Sequence, residues 1–382
     1  MRKFTYAYVI LVAFLFWNRI VLGQITTPPS GDNQKSSVTQ YMGLASVTVN
    51  YSSPNVHAPD GTDRAGHIWG ELVPYGLSNL AFGLSTEEHP SPWRAGANEN
   101  TTISFSNDMK IEGKDIKAGT YGLHMIPGKE TWTIILSNNA NAWGSFFYDE
   151  KDDALRFTVT PKSSAYNEWL TYEFSDRELS SCTMELKWEN LTIPVHIEVP
   201  DITELYYQKI KGELEGTPIG FNYLGWVDGA NYLAQNKYKL DEALKWADNA
   251  LAGQFYSSTN FITMSTKANV LNAMGKTAEA EEMMKKAVND PTATAMDVHF
   301  YARGLQAQNK NKEALEIFLI NYKNHPDQVV TSLGLARGYS ANGDYKNAIK
   351  YAKVALTMNP DPQMKKTLED GINKLEEGKD FN

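Results

Sequence analysis

The sequence predicts an all-β antiparallel sandwich followed by an all-α array of stacked helical hairpins, and three observations carry that prediction. Between residues 38 and 200 apolar and polar residues alternate in short runs parted by turn residues, the period-two signature of strands with one buried face. Past Pro200 alanine and lysine rise and the period moves toward three and four, as helices require. Within that second half small residues recur at intervals of 34, in three registers: Ala268, Ala302 and Ala336; Gly275, Asn309 and Gly343; Ala280, Ala314 and Ala348. A chain of 382 residues is long for one hydrophobic core, so a division into two domains is expected on size as well.

At the start, Arg2 and Lys3 precede the apolar run from Tyr6 to Trp17, and Gly23 ends it with a small residue, so residues 1–23 read as a signal peptide cleaved before Gln24. That run, interrupted by Asn18 and Arg19, falls short of the roughly 20 residues a spanning helix needs. The expectation is an exported chain, periplasmic or secreted, with no transmembrane helix after cleavage. Losing Arg2, Lys3 and Arg19 moves the formal charge from −9 to −12, and so acidic a chain offers no clustered cations for nucleic acid. Cys182 is the single cysteine, which excludes an intramolecular disulfide and a thiolate zinc site; alternating with Met184, Leu186 and Trp188, it reads as a buried strand residue.

Residues 24–37 are polar and turn-rich and read as a flexible linker. The sandwich is expected over 38–200. Its strands begin with the alternation of Val47, Val49 and Tyr51, followed by a candidate segment at Ile68 to Tyr75, whose Pro74 places its end outside a ladder. Residues 77–92 read as a loop folding over the sheet. Further strands are predicted at Thr101 to Ser106, Met109 to Glu112, Tyr121 to Ile126 and Trp132 to Leu136, joined by Asn107-Asp108, Lys117-Ala118-Gly119 and Pro127-Gly128. Alternation at Leu155 to Val159, Leu170 to Phe174, Met184 to Trp188 and Ile193 to Val199 completes about nine to eleven strands, enough for two packed antiparallel sheets.

Residues 201–221 read as a connector. From 222 the 34-residue units place small residues where paired helices cross, with Pro291, Pro326 and Pro360 closing successive units, so that neighbours stack and bury a core none forms alone. These units resemble tetratricopeptide repeats. Ala243, Ala247 and Ala250 mark a degenerate first unit, and Leu368, Ile372 and Leu375 line one side of a capping helix near 363–377.

Candidate chemistry gathers on the loop ahead of the Thr101 strand. Arg94, Asn98 and Glu99, with His124 just downstream, are suited to an anionic or hydroxylated ligand, Arg94 by its planar fork and Glu99 as acceptor or general base. The plainer expectation is an Arg94–Glu99 ion pair pinning the loop, with Asn98 capping a turn. His67, His124 and Glu99 lack metal-ligand spacing, and no metal site is expected. Trp132 reads as core, whereas Trp69, Trp93 and Trp143 stand beside turn residues and are candidates for stacking against a carbohydrate. No G-x-S-x-G elbow or phosphate-cradling glycine loop appears, so neither catalytic residues nor a cofactor are assigned.

Contiguous motifs across residues 38–199 resemble the domain-of-unknown-function family 2911 of exported bacterial proteins, frequent in Bacteroidota: LVPYG at 72–76, WRAGANENTTISFS at 93–106, AGTYGLHMIPG at 118–128, WTIILS at 132–137, WGSFFYDEKDDALRFTVTP from 143, and WEN at 188–190. The resemblance implies no activity. It points to Arg94, Asn98, Glu99, Tyr121 and His124 as residues within its motifs, and it marks 77–92 as an extra loop between PYG and WR. The functional expectation is a non-enzymatic binding and assembly module, with a protein or peptide held by the helical array. A small polar or carbohydrate ligand, or hydrolase-type chemistry, near Arg94, Glu99 and His124 is the alternative.

Overall fold

The computed structural model describes residues 33–382 apart from Pro59. The expected signal peptide, and the linker up to residue 32, lie outside the described residues. The chain divides after Pro200 into two compact units, the boundary at which the hydrophobic period changes.

Among the described residues the first unit is two antiparallel sheets. One has six strands in the order β1-β2-β3-β6-β7-β8, and the other four in the order β5-β4-β10-β9. The strands of the larger sheet are β1 (Gln34–Met42), β2 (Ala45–Ser53), β3 (Thr102–Phe105), β6 (Gly119–Ile126), β7 (Trp132–Ser137) and β8 (Asp153–Val159). Those of the smaller are β4 (Met109–Ile111), β5 (Lys114–Ile116), β9 (Lys162–Ser175) and β10 (Ser181–Glu198). Alternation decides which residues face inward: Val47 and Val49 of β2, Ile103 and Phe105 of β3, Leu123 and Met125 of β6, and Leu170, Tyr172 and Phe174 of β9 are all buried. Cys182 is buried on β10 with Met184, Leu186 and Trp188.

Three sequence expectations need correction in this unit. Gln34–Ser37 are not linker but the start of β1, paired in register from Gln34↔Ser53 to Met42↔Ala45; their polarity is that of an edge strand with little to bury. Ile68 to Tyr75 is no strand, because Gly70 turns to a φ of +92° and the Gly70 and Val73 N–H groups donate to Val73 and Ile68 carbonyls, closing a tight loop. The segments ending at Trp188 and starting at Ile193 are one strand, β10, with its register shifted where Glu189 adopts a φ of +53°. The three-residue β5 was not foreseen.

The second unit is entirely helical among the described residues. The expected connector is instead α1 (Ile202–Gly216), capped by the Asp201 carboxylate accepting from the Glu204 N–H at 2.8 Å, followed by a 3-10 turn at Pro218–Phe221. Tyr207 of α1 stacks on Trp246 at 5.7 Å, so the segment belongs to the helical core. Four hairpins follow: α2 (Tyr223–Gln235) with α3 (Leu240–Leu251), α4 (Phe261–Ala273) with α5 (Thr277–Ala287), α6 (Ala295–Ala307) with α7 (Asn311–Asn324), and α8 (Val329–Ala341) with α9 (Tyr345–Thr357). Helix α10 (Pro362–Glu376) caps them.

The 34-residue spacing has a simple geometric cause. Gly275, Asn309 and Gly343 take left-handed φ values of +78°, +61° and +79° in the turn within each hairpin, a conformation that glycine and asparagine reach cheaply. The two alanine registers are fully buried at the helix crossings. Stacked hairpins of this kind make a tetratricopeptide-like array. Beyond α10, Phe381 folds back into the core beside Gly371, an extension past the expected end of the array at 377.

Candidate functional site

A cavity of about 590 Å³ opens in the first unit, walled by the two longest loops of the sandwich, 54–101 and 138–152, with Trp188 reaching it from β10. Its volume lies within the ~300–1,000 Å³ usual for small-molecule sites. Because β3 is short, the edge of β6 beyond Gly122 is taken up by the 54–101 loop. Trp93 exchanges both backbone hydrogen bonds with Met125 at 2.8 Å, and Leu123 donates to Thr101. Trp93 is thereby pinned to the sheet, and Arg94 next to it projects into the cavity wall.

Arg94 is mostly withdrawn from water. Its Nη1 donates to the Asn98 carbonyl at 3.0 Å and its guanidinium lies 5.5 Å from the centre of the Phe146 ring. Gly144, at a φ of +59°, makes room for it: a Cβ there would stand 2.8 Å from Nη1. Among the described residues no carboxylate forms an ion pair with Arg94, and burial alone moves its pKa, downward. The expected Arg94–Glu99 pair is therefore corrected. Glu99 binds Lys35 at 2.6 Å and accepts from Ser52, and that ammonium holds its carboxyl below the usual range. Lys35 lies on β1, in the stretch expected to be linker, so its role is invisible to sequence pattern. The pair is largely exposed and contributes little to stability.

Asn98 does sit beside Arg94 on the wall, at a φ of +57°, its Oδ1 accepting from Asn33 Nδ2 at 3.0 Å. Tyr121 does not line the cavity; buried on β6, it donates to the Lys117 carbonyl at 3.0 Å. His124 lies behind the wall, bonded through Nδ1 to Ser145 Oγ at 2.9 Å, with Tyr148 edge-on to its ring. Burial pushes its pKa down to about 4, so the imidazole is neutral at pH 7. The histidines weighed as metal ligands stand with separate partners, His67 with Glu71 and His124 with Ser145. No group of three or more His, Cys, Asp or Glu side chains gathers among the described residues.

The tryptophans divide differently from the sequence expectation. Trp69 packs among Trp93, Trp132 and Trp188 with centroids 5.2 to 5.9 Å away, so it is part of the aromatic core and not a cavity residue; the neighbouring glycine that suggested an open loop instead makes the tight turn that inserts it. Trp93 bridges both environments, stacking on Trp188 at 6.5 Å while lining the cavity. Trp143 is 51% exposed and lines the cavity. Residues that sequence reasoning missed are Arg64, Ser78, Ser91 and Ser145 on the wall and Phe146 beneath Arg94. The 77–92 loop supplies two of them, Ser78 and Ser91, which pair through both backbone groups at 2.8 and 2.9 Å, and Phe82 at its tip packs on Phe146. Among the described residues the lining contains two arginines and no aspartate or glutamate, in a chain of net charge −9.

Residues 33–197 match the family model described as "Protein of unknown function (DUF2911)". Among solved structures, the chain is similar to one titled "Crystal structure of YrrB: a TPR protein with an unusual peptide-binding site", with 14% identity, 45% of this chain and 100% of that chain covered, and a TM-score of 0.20. The hairpin array is assigned on its own spacing and packing, independently of that likeness. No curated protein matches the chain. No described helix is long and apolar enough to cross a membrane.

Proposed function

We propose that the chain is an exported binding protein of two parts, a sandwich that takes a small polar ligand beside Arg94 and a helical array that holds a protein or peptide segment. The ligand reading is carried by Arg94. Folding normally pairs a charge it removes from water. Here the guanidinium meets one backbone carbonyl, a phenyl ring and a 590 Å³ cavity with no acid among the described residues, an arrangement completed when a ligand brings the counter-charge. The array reading rests on architecture, since stacked hairpins present an extended surface, and on apolar side chains left exposed on α4 and α6, namely Ile262, Met296 and Phe300.

Binding accounts for the site better than hydrolysis. The Ser145–His124 pair has no carboxylate orienting the imidazole among the hydrogen bonds described, and burial disfavours the imidazolium that turnover would have to form. Trp93, Trp143 and Trp188 all border the cavity, so tryptophan emission reports occupancy. In a screen of small polar metabolites against the full chain, at least one compound is expected to shift that emission and raise the melting temperature. Trp143→Ala should weaken both responses. A screen in which every response survives Trp143→Ala undiminished would count against the site.

A further inference from the structure

The ligand class can be narrowed, on the premise that the cavity is a ligand site. We infer that it takes a carboxylated sugar, a uronic acid unit or a short chain bearing one. Charge comes first. Of the two wall arginines, Arg64 donates to the Asn55 carbonyl at 3.4 Å and stands near Asp60 without forming an ion pair with it: the Thr62 N–H and, more weakly, the Arg64 charge hold that carboxyl below its usual range. Among the described residues no carboxylate pairs with Arg94, and its one guanidinium suits a single negative charge. The guanidinium fork matches the planar geometry of a carboxylate.

The body of the ligand is set by the rest of the wall. Ser78 and the amide of Asn98, whose Oδ1 already accepts from Asn33, add polar groups to the same wall, and these complement a hydroxylated ring. Trp143 contributes a half-exposed indole at the cavity, the kind of aromatic surface against which the C–H face of a pyranose packs, and Trp93 lines the cavity too. The combination of one open cation, hydroxyl and amide groups, and a flat aromatic face is the chemistry of an acidic carbohydrate.

Titration calorimetry on the full chain with D-galacturonate, its dimer, neutral D-galactose and benzoate tests this. The anionic naphthalene dye 1-anilinonaphthalene-8-sulfonate serves as a probe of the cavity itself. Galacturonate or its dimer is expected to bind at least about tenfold tighter than galactose, and also tighter than benzoate. Arg94→Gln should erase the preference for the acid, and Trp143→Ala should weaken acid and neutral sugar alike, with melting curves confirming that both variants fold. Galactose bound as tightly as galacturonate, or benzoate bound more tightly, overturns the class. If no sugar binds but dye emission still falls in both variants, the carbohydrate class is wrong and the ligand site stands. If the dye ignores both substitutions, the site falls as well.

Discussion

Phe318→Ala is expected to destabilise the helical unit by about 3–5 kcal/mol, the cost of deleting a fully buried aromatic side chain. Phe318 is on α7 and faces α8 where that helix carries Gly334 and Gly338. A Cβ on those glycines would lie 2.6 and 2.8 Å from the Phe318 ring, so the ring packs directly on the α8 backbone. With Leu315 against Gly338 and Tyr322 against Tyr351, it joins the third hairpin to the fourth. Because stacked repeats are stabilised by their nearest neighbours, the damage should concentrate at that junction. Urea denaturation gives the magnitude, and hydrogen exchange should show amide protection lost most strongly across residues 295–341. A cost under about 1 kcal/mol would mean that the hairpins do not share the core assigned to them.

Acid is expected to weaken both units between about pH 6.5 and pH 4. Burial is the first cause that lowers the pKa of His124 in the sandwich and of His299 in the array, each to about 4. In the unfolded chain each would titrate near 6.5. The sign follows from proton uptake: as pH falls below 6.5 the unfolded chain binds protons the folded chain refuses, so stability drops until the folded pKa is reached. Each histidine can remove on the order of 3 kcal/mol over that window, with a slope of at most ~1.4 kcal/mol per pH unit. Asp153, whose carboxyl burial pushes upward, acts in the opposite direction. Urea midpoints at pH 7, 6 and 5 should fall in that order. His124→Asn should flatten the sandwich's share, and His299→Asn that of the array. Equal midpoints at pH 7 and pH 5 would contradict the burial of these neutral rings.

Much of the fold is legible in the sequence because its causes are local. Left-handed turn residues and fully buried alanines must recur wherever hairpins of one length stack, so Gly275, Asn309 and Gly343 mark the array by their spacing alone. Strand alternation is equally direct at Met184 to Trp188. The polar β1 is hidden because an edge strand facing water has no apolar rhythm to show, and with it goes Lys35, the true partner of Glu99. The candidate site is only partly readable for a related reason. Arg94, Asn98, Trp93 and Trp143 do converge on one cavity, whereas Trp69, Tyr121, Glu99 and His124 serve the aromatic core, a strand turn, an exposed ion pair and a buried hydrogen bond. Which loop side chains meet depends on how residues 54–101 fold back over β6, a tertiary outcome that no periodicity encodes.

The melting temperature of Arg94→Met tests most directly whether Arg94 is held out of water for a ligand and not for the fold. Methionine keeps the apolar reach of the side chain and removes the charge. If the guanidinium is uncompensated in the free protein, the variant should melt at or above the wild-type temperature, because an unpaired buried charge costs stability. A fall of several degrees would show that Arg94 is a structural residue whose partners lie within the protein, and the ligand site would lose its foundation.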